Sequence, residues 1–239
     1  MSQAYPLVLS LGCLAGLTWL AMRRARSVEG NAAAFMAALL ALALGLTGAR
    51  LGFAALHLPY YRSHPQEILW VWQGGLSWVG GALGAVAAVG VTAWVRRMEF
   101  PALADALALP ALVVALAAWA GCSLDGCAYG FRTPGGPLFP PAADLFGVVA
   151  PRWPTATAGM IATGLLLAGM LVLDARRMRP GLRAAIALGG VALIAFGLST
   201  TRGDPVLLIG GARIDTVAAG GVLLLTGSFA AARAWSSRR

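Results

Sequence analysis

Seven stretches of the chain are nearly unbroken runs of apolar residues, and short polar or Gly/Pro-rich segments separate them. The runs cover 6–22, 32–56, 74–95, 101–120, 154–173, 184–200 and about 216–232. A helix needs about 20 apolar residues to cross a bilayer, and all but the short first run are near that length. None of the runs alternates polar and apolar residues as the strands of a membrane barrel do. The pattern predicts an all-α, polytopic membrane protein with about seven transmembrane helices, a single transmembrane domain over 1–239. Two longer loops, 58–73 and 121–153, fall on one side; both read as segments without regular structure, uncommon at such length unless functional.

Composition points the same way. Hydrophobic residues make up 59% of the 239, charged residues 11%, and the mean hydropathy is +0.77. A soluble domain carries about twice that charged fraction, so this chain lacks the polar surface to coat a water-soluble globule. It is equally too apolar for disorder. Three cysteines exclude a disulfide-built scaffold.

Charge adds orientation. All 18 basic residues are Arg, against nine acids. The arginines sit in short clusters between apolar runs, a layout that speaks for membrane orientation and against a nucleic-acid surface. Twelve fall on one side: Arg23, Arg24, Arg26, Arg96, Arg97, Arg176, Arg177, Arg179, Arg183, Arg233, Arg238 and Arg239. Five fall on the other: Arg62, Arg132, Arg152, Arg202 and Arg213. The asymmetry predicts an outer N-terminus and a cytoplasmic C-terminus, with 58–73 and 121–153 as outer loops. The first run has no basic residue before it and no small-residue cleavage site before Arg23, so it reads as a retained helix.

Several residues carry candidate chemistry. Arg50 is the only arginine inside a run. A charge there costs about 2.5–3.5 kcal/mol, so Arg50 either faces a partner, cavity or lipid phosphate, or snorkels to the outer surface from two turns below it. The third run opens with Gly74-Gly75, and Gly80, Gly84 and Ala88 recur every four residues. That spacing predicts close helix packing, and the leading glycines an irregular entry into the membrane. Tyr60, Tyr61, Trp70, Trp72 and Trp78 read as an interfacial aromatic belt. Cys122 and Cys127 have no adjacent base, and no ligand set supports a metal, so they read as structural or spectator cysteines that an outer location would allow to pair. Arg202, Asp204, Arg213 and Asp215 read either as a solvated loop with weak ion pairs or as charges ringing an outer-leaflet cavity with Arg50.

The same residues resemble the prolipoprotein diacylglyceryl transferase family. Its pattern of Gly-x-Arg-Leu/Ile-Gly-Tyr/Phe, a His-Pro turn and Trp-x-Gly-Gly-Leu/Met-Ser-x-His-Gly-Gly is similar to three segments here. They are Gly48-Ala49-Arg50-Leu51-Gly52-Phe53, His64-Pro65, and Trp72-Gln73-Gly74-Gly75-Leu76-Ser77-Trp78-Val79-Gly80-Gly81. Gly121 to Gly130 is similar to the family's Gly-Cys-Phe-Leu-Ala-Gly-Cys-Cys-Tyr-Gly variant, Arg152-Trp153-Pro154-Thr155 to its Arg-His-Pro-Thr/Ser, and Arg202-Gly203-Asp204-Pro205 to the end of a C-terminal Arg/Glu segment. The pattern departs where the family's His falls on Val79, its Arg on Trp119, its Tyr-Glu on Ala158 and Gly159, and its C-terminal Arg and Glu on Ala195 and Ser199.

The resemblance implies a multi-pass enzyme of the bacterial inner membrane. It would move diacylglyceryl from phosphatidylglycerol to the lipobox Cys of a prolipoprotein, with that protein's signal peptide as the second partner. It implies no cofactor and no metal, and it leaves the catalytic base unassigned. Arg50 and Arg202 would hold the lipid phosphate; Trp72, Gly74, Gly75 and Ser77 would shape the cavity; Asp125, Arg152 and Asp204 complete the substrate-binding set. The alternative is a non-catalytic lipid- or lipopeptide-binding relative; a small transporter fits least, because charges are nearly absent from the runs.

Overall fold

The computed structural model describes residues 4–22, 28–144, 146–174, 176 and 178–235. Arg23, Arg24, Arg26, Arg177, Arg238 and Arg239, half of the larger arginine group, lie outside the described residues. The long helices are α1 (Ala4–Met22), α2 (Val28–Leu56), α4 (Trp78–Arg96), α5 (Phe100–Asp125), α6 (Thr155–Asp174), α7 (Leu182–Ser199) and α8 (Ile214–Trp235). The short α3 (Leu58–Ser63) follows α2. All seven long helices have the length and apolar composition to cross a membrane. The chain is a polytopic helical membrane protein.

Three predicted boundaries move. The third span begins at Trp78, because Gly74 and Gly75 adopt φ of +84° and +68°, and Ser77 caps the helix by accepting a hydrogen bond from the Gly80 amide. The fourth runs on to Asp125, so Gly121–Asp125 is helical rather than loop; Gly126, at φ +69°, then breaks it. The segment 58–73 is ordered as α3 and two single 3-10 turns, Pro65–Leu69 and Val71–Gln73. The loop after α5 folds back on itself as strands β1 (Pro141–Ala143) and β2 (Val149–Pro151), paired antiparallel from Pro141↔Pro151 to Ala143↔Val149. A second small hairpin, β3 (Leu208–Ile209) with β4 (Ala212–Arg213), turns through Gly210 and Gly211 before α8.

The chain packs as two compact units, Leu17–Leu107 and Met1–Gly16 with Ala108–Arg239. In the first, α2 and α4 meet backbone to backbone. A Cβ on Gly80 would collide with the Gly48 carbonyl, one on Gly84 with the Leu44 carbonyl, and one on Gly48 with the Gly80 carbonyl. The four-residue glycine repeat therefore serves the close packing predicted for it, and Ala88 continues the stripe fully buried. In the second unit, α1 lies on α5 in the same manner. A Cβ on Gly16 would press on the Pro110 carbonyl at 3.2 Å, and one on Gly121 on the Tyr5 ring at 2.9 Å. Asp125, at the end of α5, accepts the Tyr5 amide at 2.9 Å and so holds one of the unpaired N–H groups that open α1.

Candidate lipid-facing site

Arg50 is 4% exposed and does not snorkel. The glycines at 48 and 52 bring α4 so close that the Ser77 amide donates to the Ala49 carbonyl at 2.9 Å. This tether sets the segment 67–75 over the Arg50 guanidinium. Nε donates to the Ile68 carbonyl at 2.9 Å, and Nη1 to the Gly74 carbonyl at 2.6 Å and the Gly75 carbonyl at 3.3 Å. Nη2 donates to the Glu67 carbonyl. The Tyr61 ring lies 5.4 Å from the guanidinium carbon. Gly75 has to be glycine, because a Cβ would meet the Phe53 ring at 2.6 Å and Arg50 Nη1 at 2.9 Å.

A guanidinium has five N–H groups, and four hydrogen bonds to main-chain carbonyls leave one, on Nη2. Within its own unit no carboxylate among the described residues pairs with Arg50. Carbonyl dipoles solvate the cation without neutralising it, so the positive charge remains in the site. Arg50 is thus the knot that orders 67–75, and it retains a single N–H and a full charge toward any anion. The resemblance puts Arg50 on the lipid phosphate, but the donors a two-pronged grip would need are already spent on the loop.

Of the other residues assigned to the site in this unit, Gly74, Gly75 and Ser77 belong to this knot. Trp72 stands outside it, 68% exposed on the second 3-10 turn. Tyr61 leaves the aromatic belt, being buried under Arg50 and edge-on to Phe53 at 6.4 Å. Glu67, which the sequence did not single out, accepts the Tyr60 hydroxyl at 2.8 Å and steadies the same turn.

In the second unit Arg152 and Arg202 are also engaged. Arg152, 3% exposed, pairs with Asp144 at 2.8 Å, donates to the Ala142 carbonyl at 3.3 Å and the Gly130 carbonyl at 3.4 Å, and lies 4.7 Å from the Tyr129 ring centre. Arg202 chelates Asp204 at 2.8 and 2.6 Å and reaches Asp215 at 3.4 Å, while Arg213 bonds Asp204 and Asp215. These four half-buried charges neutralise one another in one cluster rather than in separate solvated pairs. Bridges Arg132↔Arg152 and Gly130↔Arg202 draw both arginines to the strand-like segment 130–132. Asp125, the remaining member, serves α1 as described.

Asp144 escaped the sequence reading. Its partner is eight residues away and the hairpin alone brings them together. Burial pulls its carboxyl up, but amides of Val148 and Phe146 and the charges of Arg152 and Arg132 outweigh that and hold it below the usual carboxylate range. A depressed folded value means the stabilisation is present above the ordinary range near pH 4 and is lost as pH falls through the folded value. Cleavage within 131–153 by pepsin, which works in acid, should therefore rise steeply as pH falls below about 4, and Asp144→Asn should show raised chymotryptic cleavage at neutral pH.

The cysteines do pair: Cys122 and Cys127 form a disulfide across the end of α5. Closing so short a loop contributes at most about 2 kcal/mol. Cys122→Ser with Cys127→Ser should lower the melting temperature by a few degrees yet leave lipid binding within a few-fold; complete loss in folded protein would mean the thiols do more.

A family model described as prolipoprotein diacylglyceryl transferase matches residues 2–232. The chain belongs to that family. Among similar curated proteins, the phosphatidylglycerol–prolipoprotein diacylglyceryl transferase of Cupriavidus necator is 36% identical over 156 residues, 64% of this chain and 54% of the relative. Those of Paracidovorax citrulli and Geobacter sulfurreducens are each 37% identical, covering 56% and 58% of this chain and 50% and 53% of theirs. The chain spans about half the length of the curated relatives it matches. Three of the positions that depart from the family pattern make close contacts of their own. Trp119 packs its indole flat on Gly159, with Cε2 2.6 Å from where a Cβ would stand. Ser199 is buried, donating to the Phe196 carbonyl at 2.7 Å and accepting the Thr216 hydroxyl at 2.8 Å.

Proposed function

We propose that this chain is a phosphatidylglycerol–prolipoprotein diacylglyceryl transferase of the bacterial inner membrane, with its N-terminus outside and its C-terminus cytoplasmic. The observation that carries the reading is the match of the family model across 2–232, in a chain whose Arg50 knot is complete. In the reaction a C–S bond forms between the lipobox Cys and the terminal glyceryl carbon of the lipid. The bond from that carbon to the phosphate oxygen breaks, and glycerol phosphate leaves with the thiol proton. The transition state spreads negative charge over the departing phosphate, so a cation fixed in advance in a dry site lowers the barrier.

Arg50 supplies that cation and positions 67–75 around it. Gly74, Gly75 and Ser77 keep the backbone thin there, and Trp72 meets the lipid surface. Arg202 with Asp204, and Arg152 with its hairpin, hold the outer loops on which the prolipoprotein signal peptide would rest. Complementation of a strain depleted of its own transferase tests the activity: growth is expected, and failure at good expression would refute it. A C-terminal reporter active only in the periplasm should stay silent; a signal would reverse the orientation.

A further inference from the structure

We infer that the β3–β4 hairpin is a membrane wedge, whose apolar tip seats in the interfacial layer of the leaflet on its own side; its partner is the lipid surface rather than another protein. The hairpin joins two spans, α7 ending at Ser199 and α8 beginning at Ile214. The contact needs no transfer activity and no particular orientation of the chain.

Eight consecutive residues, Pro205 to Ala212, carry no polar side chain. Within them Leu207, Leu208 and Ile209 are 52%, 59% and 50% exposed. Leu208 pairs with Arg213 and Ile209 with Ala212, so the tip is a two-residue turn through Gly210 and Gly211. Among the described residues nothing lies within 4 Å of a Cβ at either glycine, so the protein leaves the tip uncovered. Successive side chains of a strand point to opposite faces. Leu208 and Ile209 therefore put apolar surface on both faces of the hairpin. A docked protein would cover one face, whereas a lipid layer covers both.

The tip also stands at the right level. The Ile214 amide, which opens α8, donates to the Leu207 carbonyl at 3.0 Å. Strands rise about 3.3 Å per residue, so Ile209 is within about 7 Å of the start of a span. The interfacial layer on each side of a bilayer is about 5–7 Å thick, so the tip lies in it or at its edge whichever way the hairpin leans. The apolar surface continues onto α8, where Val217 and Leu224 are exposed.

The charges at the root do not oppose insertion. Arg202 and Arg213 pair with Asp204 and Asp215, and the four sum to zero. The wedge is thus an apolar tip on a neutral base, and it needs no anionic lipid. An open two-stranded hairpin leaves main-chain polar groups unpaired at its edges, which hydrocarbon does not tolerate. The tip therefore stops among the headgroups and upper acyl carbons.

Spin labels on Leu208→Cys and on Ile209→Cys test this in the full chain, in single-copy nanodiscs of phosphatidylcholine. Each carries Cys13→Ser, which removes the free thiol. Depth is read as the ratio of collisions with oxygen, which concentrates in lipid, to collisions with a water-soluble nickel chelate. Leu224→Cys, 74% exposed on α8, marks lipid, and free label in buffer marks water. Both tip labels should give ratios several-fold above the free label and below Leu224→Cys. Replacing part of the lipid by phosphatidylglycerol should leave both unchanged. With the label moved to Leu207→Cys, adding Leu208→Asp and Ile209→Asp should bring its ratio down toward water, while an unchanged Leu224→Cys reading shows that the fold is kept. A ratio equal to free label at either tip position overturns the proposal. So does protection of one tip residue beside a water-exposed neighbour, which is the mark of a one-faced protein contact, or protection that requires phosphatidylglycerol.

Discussion

Arg50→Ala should melt about 10 °C below wild type in detergent and lose retention of phosphatidylglycerol. The change strands four carbonyls in a buried site and removes the only charge solvating them. Truncating a buried charged group of this kind costs about 3–5 kcal/mol, and each kcal/mol moves the melting point of a domain this size by about 2–4 °C. Arg50→Lys keeps the charge, but an ammonium on a single point cannot reach carbonyls spread from Glu67 to Gly75. It should hold lipid more weakly than wild type and, by loosening 67–75, make the chain there easier for chymotrypsin to cut. The loop cleavage separates the knot from a general loss of packing, because α1, α5 and the second unit's hairpins should stay resistant. Equal lipid retention by all three side chains, measured by native mass spectrometry at equal folded fraction, would reduce Arg50 to a structural anchor.

Gly80→Ala should cost about 1–3 kcal/mol from a single methyl, through overpacking against a backbone that has no room to give. The methyl would collide with the Gly48 carbonyl, so α2 and α4 would have to separate. Separation pulls the Ser77 amide from the Ala49 carbonyl and slackens 67–75 around Arg50, so lipid retention should fall with stability. Gly90→Ala on the same helix is the matched control. Nothing lies within 4 Å of a Cβ there, and its stability should stay within about 0.5 kcal/mol of wild type. Equal melting points for the two variants would mean that the glycine stripe does not set the helix spacing.

The helices were legible because apolar runs of spanning length have few alternative fates. The glycine stripe was legible because residues four apart share one helix face. Gly74-Gly75 also announced a break, since paired glycines at the head of a span serve backbone that a helix cannot supply. What stayed hidden depends on partners that carry no residue signature. Arg50 is held by main-chain carbonyls, which look the same in every sequence, so its position showed and its saturation did not. Tyr61 read as a belt residue like Tyr60, and only the folding of 58–73 into helical turns puts one under Arg50 and leaves the other exposed. Asp144 and Arg152 find each other through a hairpin whose register the run of prolines and glycines around them does not specify.

Transfer by this member of the family is tested in a defined reaction. Purified protein is incubated with phosphatidylglycerol vesicles and a synthetic peptide spanning a lipobox and its signal segment, and the peptide is weighed by mass spectrometry. A diacylglyceryl adduct on the lipobox Cys is expected, with glycerol phosphate released in equal amount and both absent for Arg50→Ala. An unmodified peptide with folded, lipid-retaining wild-type protein would contradict it and leave a lipid-binding member of the family in its place.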